Sequence, residues 1–321
     1  MPRPTKLHQA CKSALVDYLG LTTDETLLIL TDENERDIAR ELYDVSKKLC
    51  HESLLLEMSA REFNGEEPPS AVTELMKSVD VVVSPTTKSI THTKSKREAT
   101  KLGVRIATMP GITKETLIRC LSADPKKIED LANALFNRMR GVREIYVETK
   151  IGTEITLPIK RRKIIISTGI LTNIGASGNL PSGEVFVAPL EDESNGTIVF
   201  DGSIAGIGLL KEKVRVEIKK GFIKKITGGK EAIEFEKMLK AVNNYKAFAV
   251  AEFGIGINEK AQLCGDILED EKALGTIHIA FGNNLTMGGK IKVSSHVDGI
   301  VKKPDVYFDR QQVMKNGKLM L

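Results

Sequence analysis

Leu27-Leu28-Ile29-Leu30, then an amphipathic stretch over 34–49, then Ser53-Leu54-Leu55-Leu56: this succession decides the fold. A short apolar run bounded by polar residues, a helix-length segment and a second short apolar run are the pattern of a β-α-β unit around a parallel sheet. The pattern recurs downstream, with Val81-Val82-Val83 and Val104-Arg105-Ile106-Ala107 as further strands and 69–78 and 91–102 as the helices between. Asp32 and Asn34 stand where an N-cap is wanted, and Gly103 follows the third helix. A fourth helix, 125–140, opens on Asp124-Pro125, a capping residue followed by a proline that suits the first turn, and ends near Gly141. The expectation is an α/β domain with a four-stranded parallel sheet over residues 1–142.

From about residue 143 the texture changes. Ile145-Tyr146-Val147 and Ile155-Thr156-Leu157 flank Gly152-Thr153, and Val214–Ile218 and Phe222–Ile226 flank Lys220-Gly221, so both pairs read as antiparallel hairpins. One helix, 230–243, interrupts them. A β-rich α+β domain over 143–321 is expected, and it holds every residue with evident chemistry.

Composition narrows the classes of function. The 321 residues are 41% apolar and 28% charged, enough apolar side chain for a sizeable core and the wrong balance for a disordered or fibrous chain. A net charge of +4, no tryptophan and few tyrosines give no electrostatic or stacking platform for nucleic acid. Lys160-Arg161-Arg162-Lys163 precedes Ile164-Ile165-Ile166 and reads as a solvated strand entrance. No apolar run reaches the ~18 residues of a membrane span, and no apolar segment follows Met-Pro-Arg-Pro-Thr-Lys, so a cytoplasmic location without membrane attachment is expected. Cys11, Cys50, Cys120 and Cys264 form no CxxC pair and read as idle thiols.

Chemistry concentrates near the C-terminus. In Thr276-Ile277-His278-Ile279-Ala280-Phe281, strand alternation puts the three large apolar side chains on one face and His278 on the other, among small neighbours. In His296-Val297-Asp298 the same period sets an imidazole and a carboxylate side by side, a compact chelate for Zn, Mn, Co or Fe(II). An isolated HxD is more simply explained by an aspartate orienting a surface histidine than by a metal, so further donors carry the weight. If the turn at Gly288-Gly289 folds these strands into a hairpin, His278 faces the pair. Glu271 lies on the approach to the His278 strand, beside Glu269 and Asp270 in what otherwise reads as a solvated acidic loop. Glu252 is the lone charge in Val250–Asn258, and burying it without a cation would cost several kcal/mol. Glu184 likewise enters an apolar strand after Pro181-Ser182-Gly183. Gly254-Ile255-Gly256 lacks the third glycine and the following helix of a dinucleotide fold, and no GxSxG elbow marks a serine hydrolase.

At four blocks the chain resembles the aminopeptidase T/aminopeptidase S family of metallopeptidases: Asn179–Phe186, Ala251–Asn258, Asp270–Gly282 and His296–Asp298. The resemblance covers the C-terminal half. It implies a dinuclear centre of two divalent ions (Zn, Co or Mn) carried by Glu184, Glu252, Glu271, His278, His296 and Asp298, with Glu252 as bridging ligand or base, and a homodimer. The function so implied is a metallo-aminopeptidase that removes the N-terminal residue of peptides by a metal-activated water. One position departs: these peptidases place a tyrosine seven residues after the histidine matched by His278, where this chain has Leu285. The same broad family is similar to dihydroxypyridine ring-cleaving dioxygenases, which use a single Fe(II) held by histidines and an aspartate, and Leu285 and the shorter chain favour that alternative. A third reading is a metal-binding homologue without catalysis. Either enzyme acts on a small peptide or another small molecule.

Overall fold

In the computed structural model, which describes residues 4–321, the apolar runs become the strands Thr26–Asp32, Glu52–Met58, Val81–Thr86 and Arg105–Pro110. The sheet is parallel, with the second strand at one edge, then the first, third and fourth, and a fifth strand, Ser177–Asn179, beyond the fourth. Val81–Thr86, an inner strand, is buried along its whole length and opens on three successive valines, whereas the edge strand Glu52–Met58 mixes buried and exposed positions. Connecting helices are Arg36–Ser46, Ser70–Lys77 and Lys94–Lys101. Asp32 does not cap the first of them. Its carboxylate ends its strand and accepts from the Thr87 backbone N–H at 2.6 Å and hydroxyl at 2.8 Å, bridging the ends of the first and third strands.

The chain divides into two compact units, residues 1–126 with 168–182 and residues 127–167 with 183–321. The first holds the parallel sheet, along with two helices absent from the expectation, Lys6–Ser13 and Lys114–Cys120, each capped by a threonine hydroxyl, Thr5 and Thr113. Arg105 is fixed inside it by a two-pronged ion pair to Glu25 with both contacts at 2.7 Å.

The second unit contains an eight-stranded and a seven-stranded antiparallel sheet. Both hairpins lie in the former, Glu144–Glu148 against Glu154–Pro158 and Val214–Lys219 against Phe222–Thr227. Helix Lys230–Ala241 buries Ala232, Phe235 and Leu239. Phe235 meets Phe200 of the eight-stranded sheet and Phe281 of the seven-stranded one, with centroids 6.4 and 5.9 Å apart, and Phe200 meets Phe281 edge-on at 6.3 Å. This aromatic cluster joins helix and sheets, and Gly299 makes room for it, because a Cβ there would stand 2.5 Å from the Phe200 ring. The fold is therefore α/β, with a parallel sheet and additional antiparallel sheets. Among the described residues no helix is long and apolar enough to cross a membrane.

Candidate metal centre

Four neighbouring strands of the seven-stranded sheet build the centre: Glu184–Val187, Val250–Gly256, Thr276–Gly282 and His296–Lys302. Register explains why their polar side chains meet. Gly256 pairs with Glu184, Glu252 with Ala280, Gly254 with His278, Ala280 with Asp298 and Gly282 with His296. Paired residues share a face, so Glu184, Glu252, His278, His296 and Asp298 all project from one side, while Val185, Phe253, Ile255, Ile277, Ile279 and Phe281 pack on the other.

Small residues make the space. A Cβ on Gly254 would lie 2.0 Å from His278 Nε2, so the ring crosses the neighbouring strand only because residue 254 has no side chain. A Cβ on Gly256 would stand 2.4 Å from the Ala273 carbonyl oxygen and 2.7 Å from the Lys272 carbonyl carbon. The Gly-Ile-Gly pair, which is no nucleotide motif, admits the His278 ring and the turn at Lys272.

The side chains converge on Glu252. One of its oxygens is 3.2 Å from His278 Nε2 and the other 3.1 Å from His296 Nε2. His278 Nε2 is also 3.4 Å from Glu184, and His296 Nε2 is 3.5 Å from Asp298. Two groups result, Glu184 with Glu252 and His278, and Glu252 with His296 and Asp298, each with the ligand-atom spacing of a metal site. His296 Nδ1 lies 2.7 Å from the Asn283 carbonyl, an arrangement that puts the proton on Nδ1 and leaves Nε2 as the donor atom. His278 is wholly buried, whereas the His296 side chain keeps 29% exposure, so the second group is the open end.

Glu271 adjoins Glu184 at the inner end. It belongs to neither group and is hydrogen-bonded by the Lys272 ammonium, which also lies 3.3 Å from Glu184. Lys272, fully buried, has no counterpart in the sequence reading; its only signal was its place beside Glu271 in a charged run. That run is no solvated loop, because Glu269 and Asp270 are also fully buried. Glu269 accepts from the Gln262 N–H at 2.8 Å, and Asp270 accepts from the Cys264 N–H at 2.7 Å and from the Ser203 hydroxyl. Arg162 likewise leaves the solvent and pairs with Glu191.

The electrostatics follow from this packing. Burial opposes ionisation of Glu252, but the hydrogen bonds and charge of His278 and His296 outweigh it and draw the carboxyl down to about 2. For His278, burial disfavours the proton, yet Glu252 and Glu184 hold the ring up at about 9. His296 is raised well above its ordinary range against the same burial cost, chiefly by Asp298 and then by Glu252. Burial pushes Glu184 up against the pull of Lys272 and His278. Burial also works against the Lys272 charge, but Glu184 and Glu271 keep it an ammonium. Imidazoles that favour their protons because carboxylates face Nε2 are a set in which a divalent ion can take the proton's place.

Comparison with known proteins bears on which chemistry uses such a set. A family model described as NicX, 2,5-dihydroxypyridine 5,6-dioxygenase, matches residues 9–321. A 2,5-dihydroxypyridine 5,6-dioxygenase of Pseudomonas putida is 27% identical over 266 residues, covering 78% of this chain and 73% of its own. The solved 2,5-dihydroxypyridine dioxygenase of Pseudomonas putida KT2440 superposes with a TM-score of 0.83 at 21% identity, over 99% of this chain and 98% of that one. Wild-type AmpT from Thermus thermophilus superposes at 0.71 with 18% identity, over 98% and 99%, a likeness of fold alone. These findings overturn the expectation of an aminopeptidase, and with it the hydrolase and protease classes. The site agrees, since Leu285, where a transition-state tyrosine was looked for, offers only an aliphatic side chain, 43% exposed.

Proposed function

The chain belongs to the NicX family of 2,5-dihydroxypyridine 5,6-dioxygenases, and from that premise we propose that it is an Fe(II)-dependent dioxygenase that opens the ring of a dihydroxylated nitrogen heteroaromatic such as 2,5-dihydroxypyridine. The observation that carries this reading is the convergence of His278, His296 and Asp298 about Glu252 on one sheet face. Imidazole nitrogen and carboxylate oxygen are a donor set that fits Fe(II). Bound there, the iron supplies the electron exchange with dioxygen that ring cleavage requires.

The protein's own groups have distinct tasks. His296 and Asp298 would hold the ion at the open end, where the side chain of His296 remains partly exposed. Asn283, through its carbonyl, holds the His296 Nδ1 proton and keeps Nε2 turned inward. His278, its ring confined over Gly254, would add a nitrogen from the buried side. Glu252, ionised and addressed by both imidazoles, orients their Nε2 atoms and would supply negative charge beside the ion.

The test is oxygen uptake by protein loaded anaerobically with Fe(II) and then given 2,5-dihydroxypyridine and air. Stoichiometric oxygen consumption with loss of the aromatic absorbance is expected. Absence of uptake across the dihydroxypyridine isomers, with iron shown to be bound, rejects the reading.

A further inference from the structure

Lys272 occupies the inner end of the centre. Its side chain is fully buried, its Nζ is 3.3 Å from Glu184 Oε1, and it donates to Glu271 Oε1. The backbone holds it there: Asn258 N–H donates to the Lys272 carbonyl at 2.8 Å, and Gly256 lets that turn approach the strand. A lysine ammonium withdrawn from water is tolerated only against carboxylates, and here it has two.

We propose that Lys272 is a positioning residue that limits the centre to a single divalent ion, held at the His296–Asp298 end, by filling the place of a second ion with its own ammonium. This deepens the single-iron reading above and rests on it. The two donor groups are unequal in this respect. The group of Glu252, His296 and Asp298 is balanced only by imidazoles, His296 and, at Glu252, His278, and among the described residues no lysine or arginine pairs with Asp298. In the group of Glu184, Glu252 and His278, one Glu184 oxygen is engaged by Lys272 and the other faces the His278 ring. An ion there would compete with the ammonium for Glu184 and sit close to a fixed like charge. Remove the ammonium, and Glu271 and one oxygen of Glu184 lose their buried cation, leaving carboxylate oxygens of the type hard divalent ions take.

The experiment counts ions. Wild type, K272M and K272R are purified without chelator, saturated with Mn(II) as the probe and desalted; metal is measured by elemental analysis and coupling between ions by electron paramagnetic resonance. Wild type and K272R are expected to hold one Mn(II) per chain, and K272M two, with the signal of a coupled pair. K272Q, whose amide keeps a donor for both carboxylates, replaces K272M if the latter does not fold, with the same expectation. A neutral variant that folds and still holds one ion overturns the proposal while leaving the single-iron reading intact. Two ions in wild type overturn that reading itself, whatever the variants do.

Discussion

The two ends of the Glu252 cluster solve the same electrostatic problem differently. At the inner end, Glu184 and Glu271 are matched by a cation built into the chain, fully buried Lys272. At the outer end, Asp298 faces His296, whose side chain keeps 29% exposure, and Glu252 faces imidazoles alone, those of His296 and His278. A permanent ammonium makes the inner end rigid and self-sufficient, whereas an imidazole can surrender its proton and leave the outer end short of positive charge. Charge supplied from within marks architecture, and charge that the protein can give up marks a binding site. The sharpest way to break this contrast is to remove one residue from each end. Asp298→Ala should weaken divalent-ion binding and turnover by about 100-fold or more, beyond the usual cost of a merely supporting group, while Glu271→Gln, which keeps a hydrogen-bond acceptor for Lys272, should cost about tenfold at most. Titration calorimetry with Mn(II) checks both, and equal losses would erase the distinction.

Gly254 tests whether the inner end depends on shape as much as charge. The added methyl of Gly254→Ala would lie 2.0 Å from His278 Nε2, so the ring must swing off Glu252 or the strands must part. A loss of at least about tenfold in Mn(II) affinity is expected, with secondary structure by circular dichroism unchanged. Unchanged affinity would show that the ring has an alternative seat.

The parallel sheet was legible in the sequence because each of its four main strands carries or adjoins a short apolar run bounded by polar or turn residues. The fifth, Ser177–Asn179, is three small or polar residues joined by backbone pairing alone, and nothing in side-chain pattern announces it. The helices at Lys6–Ser13 and Lys114–Cys120 carried readable caps in Thr5 and Thr113 but bury only Ala10 and Cys11, and Thr116, Leu117 and Cys120, too few apolar residues to show a period. At the centre, alternation sufficed to give the direction of His278 and of the His296–Asp298 pair, since a strand has only two faces. It could not give Lys272, because a lysine in Glu269-Asp270-Glu271-Lys272 looks like solvated charge. Only the tertiary contacts reveal that the run is buried: backbone N–H groups satisfy Glu269 and Asp270, and Lys272 satisfies Glu184 and Glu271. Leu285 was the one residue at which the sequence itself weighed against peptide hydrolysis.

Proton linkage separates the occupied from the empty centre. In chelator-treated protein, burial pulls His278 down but Glu252 and Glu184 hold it at about 9, above its ordinary 6.5. A folded-state value above the unfolded one means that this stabilisation is fully present below about 6.5 and is lost as pH rises through about 9. The melting temperature of the metal-free protein should therefore fall over that window, and the fall should be smaller in His278→Gln. Ion binding should respond in the opposite sense, strengthening with pH across the same range, because the imidazole must shed its proton to become a ligand.

The smallest effect is expected from Glu191, which never touches the cluster. It accepts from the Lys290 N–H at 2.7 Å and the Asn284 amide at 3.3 Å and pairs with Arg162, pinning the connection from Asn283 to Ser295. That connection presents the Asn283 carbonyl to His296 Nδ1 at the open end. Glu191→Gln keeps the shape and weakens the grip, so His296 loses orientation and not its place. A drop in Mn(II) affinity of about tenfold or less is expected, the size typical of groups that steer a ligand. His278 takes no support from this connection, so the variant should leave the pH window of the metal-free protein unmoved. A shift in that window would mean that the two ends are mechanically coupled, and that their difference in charge balance is not a difference in independence.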